Sequence, residues 1–159
     1  MAKIVAVGLD QLAKQFSDVA DQTGRIAKKS LYEGSGMLAD KLRNATENLT
    51  AEDQRKHQSK AVLDYEKKAL LNGLSVEKFK DNRALDCVET SVTFHGRSEH
   101  RTKKYPDGVP TILLARAITK GTTFRTANRF FPNTVNRNRK EVETRMVKKA
   151  EAEMNKILK

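Results

Sequence analysis

Apolar positions recur at helical spacing through the first third of the chain. The run KIVAV at residues 3–7 comes first; it is short, rich in β-branched residues and ended by Gly8, which predicts a strand. The next apolar positions lie mostly three or four residues apart and predict an amphipathic helix: Leu9, Leu12, Phe16, Val19 and Ala20. Beyond Gly24 the period resumes in a second, longer stripe: Leu31, Leu38, Leu42, Ala45 and Leu49. Gly34 and Gly36 lie inside that second helix and cost about 1 kcal/mol each in helix propensity, so we expect it to pack closely against another backbone.

The middle of the chain predicts further helix and then one strand. Thr50, with Asp53 three residues later, is typical of a capping box, and residues 50–82 have the composition of a helical segment. Residues 84–95 alternate with period two instead, which predicts one half-buried strand. One face of this strand would carry Val88, Thr90, Val92 and Phe94, and the other Cys87, Glu89, Ser91, Thr93 and His95.

The last third predicts a loop, a short element and a long helix. Residues 96–110 form a polar, basic loop with a Pro-Asp-Gly turn, and TILLARAI at 111–118 is too short to distinguish helix from strand. Pro132 is placed at the first position of a closing helix that extends to about Leu158. The fold class is therefore predicted as α+β: a helix-rich single domain over residues 1–159, with a long N-terminal helical region, a small antiparallel sheet and a long C-terminal helix.

The positive charge is concentrated in one third of the chain. Of the net charge of +11, residues 97–149 supply +10, from 14 Lys and Arg against four acidic residues. This asymmetry indicates a directed electrostatic surface. The stretch 117–140 holds six cations, no acid and three phenylalanines, a composition typical of nucleic-acid-binding segments. The alternative is that the phenylalanines anchor a turn in the core.

Composition limits the classes of protein that the chain can belong to. Only 38% of its residues are hydrophobic, 32% are charged and there is no Trp, so we expect a thin core that neighbouring subunits complete. The first apolar run is too short for a signal peptide, and no stretch reaches the roughly 18 apolar residues of a membrane span. With Cys87 alone, no disulfide framework is possible. We expect a soluble chain without a membrane partner, made in a reducing cytoplasm.

Residue types capable of catalysis are few and poorly placed. Cys87 and His95 are eight residues apart, or about 27 Å along a strand, so they cannot form a dyad within it. Cys87 is instead expected to be a buried or half-buried structural residue. The histidines at positions 57, 95 and 100 match no metal-binding spacing, and Gly121-Thr122 lacks the frame of a phosphate-binding loop. We therefore expect a protein that is not an enzyme, with no catalytic residue, no metal and no cofactor.

Three stretches carry a resemblance to a known family. They are AKIVAVGLDQLAKQF at 2–16, IAKKSLYEGSGMLADKLRNAT at 26–46 and LLARAITKGTTFRTANRFFPNTVNRNRKEV at 113–142. Together they resemble the head–tail joining proteins of long-tailed bacteriophages, also called neck or tail-completion proteins. In the last stretch the residues that match the family pattern, in order, are Gly121, Thr122, Ala127, Phe130 and Phe131. The chain departs from the family over residues 50–82, and Arg129 stands where a proline is usual.

The resemblance implies a structural virion protein of the phage neck. Such a protein forms a homo-oligomeric ring, expected to be a hexamer, that joins the DNA-filled head to the tail and surrounds the DNA channel. Its implied partners are further copies of itself, head-closure or connector proteins, tail-terminator or tail-tube proteins, and genomic DNA in the channel. The implied location is the head–tail junction of the virion, after assembly in the host cytoplasm.

Two sets of residues are predicted to carry this role. The partner- or DNA-facing cations are Arg97, Arg101, Lys103, Lys104, Arg125 and Arg129. The structural anchor of the C-terminal turn is Gly121 with Phe130 and Phe131. Two alternatives stay open: a free, non-specific nucleic-acid-binding protein, and another minor tail component.

Overall fold

The part of the chain that the structure describes is built on two long helices with three shorter ones around them. The structure, a computed structural model, describes residues 9–54, 56–82 and 87–158, so the strand predicted at 3–7 lies outside the described residues. The helices are α1 (Leu9–Asp21), α2 (Thr23–Glu47), α3 (Asp64–Gly73), α4 (Thr111–Lys120) and α5 (Phe130–Ile157). The strands are β1 (Ala51–Glu52), β2 (Val62–Leu63), β3 (Leu74–Val76), β4 (Lys80–Asn82), β5 (Cys87–Glu89) and β6 (Val92–Phe94). The predicted α+β class with long first and last helical regions is confirmed.

Helices α2 and α5 run antiparallel along most of their lengths and form the scaffold. Salt bridges tie the pair at several levels, including Arg145 to Glu33 at 2.6 Å and Lys41 to Glu141 at 3.1 Å. Gly34 is buried where the helices meet, because a Cβ there would lie 2.6 Å from the sulfur of Met146. The predicted close approach at Gly34 is thus confirmed, whereas a Cβ at Gly36 would meet nothing within 4 Å.

Among the described residues, the strands form three pairs. β1 pairs with β2 in parallel, β3 with β6 and β4 with β5 in antiparallel fashion, with Leu74 opposite Phe94 and Lys80 opposite Glu89. In its described part the single strand predicted over 84–95 is interrupted: β5 and β6 pair with different strands and are separated by Thr90 and Ser91. The N–H of Glu77 donates to the carbonyl of Ser91 at 2.8 Å, which continues the β3–β6 register beyond Val76 and Val92. The alternation of burial nevertheless continues from β5 into β6.

The helix predicted over 50–82 is wrong, since α3 is the only helix among the described residues of that range. Thr50 starts no helix: its carbonyl accepts the N–H of Val62 at 2.9 Å, beside the β1–β2 pair. Between those strands Gln58 has a φ of 57°, a left-handed conformation that ends any helix. Its backbone N–H donates to the carbonyl of Phe124 at 3.2 Å, so a distant segment holds it there. Tertiary contacts override helical composition in this region.

The core lies where α2, α3, α4, β3 and β6 meet the start of α5. Its main cluster consists of Leu42, Leu49, Val62, Leu70, Leu74, Phe94, Ala115, Ile118 and Phe130. The ambiguous segment at 111–118 is helical, within α4. The closing helix is confirmed, but it begins at Phe130, so Pro132 occupies its third position rather than its first. That position is still in the first turn, where a missing N–H breaks no helical hydrogen bond.

Candidate interaction surface

The basic loop at residues 96–110 has a defined conformation. It connects β6 to α4, and its two arms are joined by the hydrogen bonds from Ser98 N–H to Val109 carbonyl at 2.9 Å and from Val109 N–H to His100 carbonyl at 3.0 Å. Gly108 has a φ of 100°, and a Cβ there would clash with the Ser98 carbonyl. Glycine is therefore required at position 108, where the second arm of the loop passes close to Ser98 on the first arm.

Four of the predicted partner-facing cations lie on this loop. Arg97, Arg101, Lys103 and Lys104 are all exposed, as predicted. Arg97 is partly engaged, since its Nη1 donates to the Gly108 carbonyl at 3.0 Å. The Lys104 ammonium lies 5.6 Å from the centre of the Tyr105 side chain, a distance suited to a cation–π contact. The loop thus displays a group of cations on a rigid base.

Arg125 does not belong to this surface. Its side chain is only 4% exposed, and the guanidinium pairs with the carboxylate of Glu66 on α3. The Glu66 carboxylate also accepts the N–H of Leu63 at 2.9 Å, which caps the start of α3. The prediction that Arg125 faces a partner or DNA is therefore wrong, because this guanidinium is the counter-ion of a buried acid.

The turn before α5 is anchored much as predicted. Gly121 ends α4 with a φ of 79°, and a Cβ there would lie 2.9 Å from the backbone nitrogen of Ala127. Phe130 is buried in the core, and Phe131 is half-buried with its ring centre 5.9 Å from that of Phe94. Arg129, the residue before them, is exposed as predicted. Phe130 therefore packs internally and is not available for stacking on bases, whereas the partly buried Phe131 packs against the outside of the core cluster.

An apolar groove lies between β6 and α4 and was not foreseen from the sequence. It has a volume of about 310 Å³ and is open to solvent. One wall is β6, the other is α4, and Phe131 contributes at the start of α5; the α4 residues include Ile112, Arg116 and Lys120. Ile112 is 49% exposed, unusual for a large aliphatic side chain beside other apolar atoms. The basic loop joins the two walls in sequence, since it connects the end of β6 to the start of α4.

The edge of β6 along this groove lacks a strand partner in the described part of the chain, where β6 pairs with β3 alone. On the paired side, the N–H of His95 donates to the Gly73 carbonyl at 2.7 Å. Since backbone groups alternate in direction along an antiparallel strand, Thr93 also faces β3, whereas the N–H and C=O groups of Val92 and Phe94 point away from it. The groove is thus bordered by backbone donors and acceptors that could accommodate an added strand.

The residues considered for catalysis are dispersed. Cys87 is exposed, which corrects the expectation of a buried structural residue; its sulfur lies 3.7 Å from a carboxylate oxygen of Glu89 on the same strand. His95 Nε2 lies 3.8 Å from Glu77. Across the described ranges, no group of three or more His, Cys, Asp or Glu residues is placed to hold a metal ion. None of the helices in those ranges combines the length and apolarity that crossing a membrane requires.

Comparison of the chain with protein-family models, with curated proteins and with solved structures found no match. The surface must therefore be interpreted from its own geometry and from the sequence resemblance.

The groove could be found only partly from the sequence. The apolar residues of TILLARAI indicate a helix with one buried face. With Ile112 and Leu113 included, the segment has more aliphatic side chains than one helix face can bury. What forms the groove is the long-range approach of α4 to β6 across the basic loop, which the spacing of residues does not reveal.

Proposed function

We propose that this protein is a structural subunit of the phage neck, forming a ring that joins the DNA-filled head to the tail around the DNA channel. The observation that carries the proposal is the open apolar groove beside the unpaired edge of β6. Exposed apolar surface next to an edge strand is a typical site of association with another chain. The sequence resemblance to head–tail joining proteins supplies the biological setting and the expected sixfold ring.

The rigid α2–α5 pair supports such a role. A helix of 28 residues is about 42 Å long and resists bending when a second helix packs against it along its length. This scaffold presents the groove and the basic loop in a fixed relation to one another. A ring built from it would hold its cations at constant positions toward the adjacent head and tail layers or toward passing DNA.

Labelling the protein in purified virions tests the proposal directly. A tag following residue 158, visualised by electron microscopy, is expected only at the head–tail junction of infectious particles. Label distributed along the tail, or particles without label, would refute a neck position. Deletion of the gene is expected to leave filled heads and separate tails, the products that accumulate when joining fails.

A second candidate is a free, non-specific nucleic-acid-binding protein, favoured by the exposed cations of the basic loop and by Arg129. A binder that neutralises five phosphates would lose affinity with salt at a log–log slope of about −4.5. A neck subunit is expected to bind isolated DNA weakly and without sequence preference.

One variant separates these two functions. Replacing Arg97, Arg101, Lys103, Lys104 and Arg129 by Gln is expected to leave the fold intact and reduce the yield of joined particles. Tight, steeply salt-dependent DNA binding by the parent, lost in this variant, would favour the second candidate instead.

A further inference from the structure

We propose that residues 3–7 of one copy add as a strand to the edge of β6 in a second copy, placing aliphatic side chains in its groove. The inference rests on the proposed ring and names the contact that would build it. The sequence KIVAV suits this position because it is short, β-branched and almost entirely apolar, like the groove that would receive it. Its backbone would pair with the outward-facing groups of Val92 and Phe94.

Chain geometry limits the reach of this segment toward the groove of its own chain. The Gln15 amide on α1 donates to the carbonyl of Leu158, just beyond the end of α5, at 3.1 Å. Phe131, at the groove, lies at the opposite end of α5, about 40 Å from Leu158 at 1.5 Å per residue.

The residues between Gln15 and Val7 can shorten this distance only in part. Leu9 lies on the same helix as Gln15, about 9 Å away. Only Gly8 separates Val7 from Leu9, and two residue steps span at most about 7 Å. Val7 therefore stays at least roughly 15 Å from Phe131 of its own chain. Residues 3–7 would span that gap only at full extension, whereas the groove of another copy imposes no such limit.

This arrangement has a direct consequence for assembly. The donated strand and the receiving groove are different surfaces on each copy, so the contact is heterologous and runs head to tail. Such contacts generate a closed ring when the rotation between copies closes, and a filament when it does not. One repeated contact can thus produce the ring that the neck requires.

Two substitutions on α4 provide a matched pair for testing the groove. Ile112 is 49% exposed and lines the groove, whereas Leu113 is 38% exposed and does not line it. Ile112→Asp is expected to block docking and Leu113→Asp to leave it unchanged. Because both side chains lie at the surface, both variants should fold, and circular dichroism with thermal melting verifies this.

The binding experiment uses a fluorescent peptide of residues 2–10 and the full chain carrying Ile4→Asp and Val5→Asp, which removes competition by its own segment. We expect saturable binding in fluorescence anisotropy, weakened at least tenfold by adding Ile112→Asp and unaffected by Leu113→Asp. Absent binding at millimolar concentration, or equal affinity in both α4 variants, overturns the proposal. Tenfold tighter binding of a Lys3→Glu peptide also overturns it, since the Arg116 and Lys120 side chains would then select an acidic segment of another protein.

Mixing tests the contact between intact chains. The Ile4→Asp/Val5→Asp variant keeps a working groove, and Ile112→Asp keeps a working segment. Separately each is expected to be monomeric in light scattering; mixed, they should form a one-to-one pair and nothing larger. Failure to pair refutes the strand exchange without bearing on where the protein lies in the virion, which the labelling experiment decides independently.

Discussion

Arg125 and Glu66 form an ion pair inside the protein, with side chains that are 4% and 1% exposed. The pair joins the turn before α5 to the first turn of α3, across 59 positions of sequence. Because α3 packs on the core and the turn leads into Phe130, this contact fixes the approach of the C-terminal helix. Its importance is structural.

Arg125→Met is expected to lower the free energy of unfolding by about 3–5 kcal/mol, because it removes a buried positive charge that pairs with the buried Glu66 carboxylate. Arg129→Met, at an exposed site four residues away, should change it by less than about 0.5 kcal/mol. Urea unfolding followed by circular dichroism measures both. Adding Glu66→Gln to Arg125→Met should recover part of the loss, since the amide is neutral and its oxygen can still accept the N–H of Leu63. Equal stability of the two single Arg variants would contradict the buried pair.

The misassignment of Arg125 shows where sequence reasoning stops. Composition and charge density treat every cation of a basic stretch alike, whereas burial depends on whether a distant acid lies opposite. Glu66 belongs to a helix with several charged neighbours, and nothing in its spacing distinguishes it. The exposed loop cations were predictable because a polar segment with a Pro-Asp-Gly turn has few ways to bury them.

Gly34 and Gly36 are expected to respond to alanine in opposite directions. A Cβ at Gly34 would crowd Met146 and lie 3.4 Å from Val142, so Gly34→Ala overpacks the α2–α5 contact and should destabilise by about 1–3 kcal/mol. Gly36→Ala meets no neighbour within 4 Å and should stabilise α2 by about 0.5–1 kcal/mol through helix propensity. Thermal melts of the two variants test this. A stabilising Gly34→Ala would mean that α5 can move away from α2 at little cost.

Helices were predictable here and strand pairing was not. The stripes of α1, α2 and α5 extend over three or more turns, so their period is read reliably from the chain. The strands have two or three residues each, too few for a period to identify their partners, and the one predicted strand is interrupted at Thr90 and Ser91 between β5 and β6. The groove was equally hard to predict from the sequence, because one of its walls is the strand β6.

The phenylalanines near the start of α5 are expected to contribute unequally. Phe130 is 7% exposed within the core, so Phe130→Ala should destabilise by about 3–5 kcal/mol. Phe131 is half-buried, so Phe131→Ala should destabilise the protein less than Phe130→Ala does. Phe124, 62% exposed, is the control, and Phe124→Ala should leave the melting temperature nearly unchanged. If Phe130→Ala melts like the Phe124 variant, the aromatic anchor is wrong and stacking on nucleic acid regains support.

The carboxylate of Glu153 is expected to make stability depend on acid pH. It accepts hydrogen bonds from Lys156 Nζ, at 2.7 Å, and from Lys29 on α2, and these bonds lower its pKa from 4.5 to about 2. A pKa that is lower in the folded protein means that the stabilisation is complete above the unfolded value of 4.5 and is lost as pH falls from there toward 2. Lys156 lies on α5 with Glu153, whereas Lys29 lies on α2, so part of the affected stabilisation belongs to the contact between the two scaffold helices.

Glu153→Gln tests this dependence, with Glu151→Gln at an exposed position nearby as the control. The parent should be more stable than Glu153→Gln at pH 7, and the difference should shrink steadily from about pH 5 and nearly vanish by pH 2. The control should follow the parent throughout. Urea midpoints measured across this pH range give the comparison directly. A difference between the parent and Glu153→Gln that stays constant down to pH 2 would show that the carboxylate acts through its shape and packing and not through its charge.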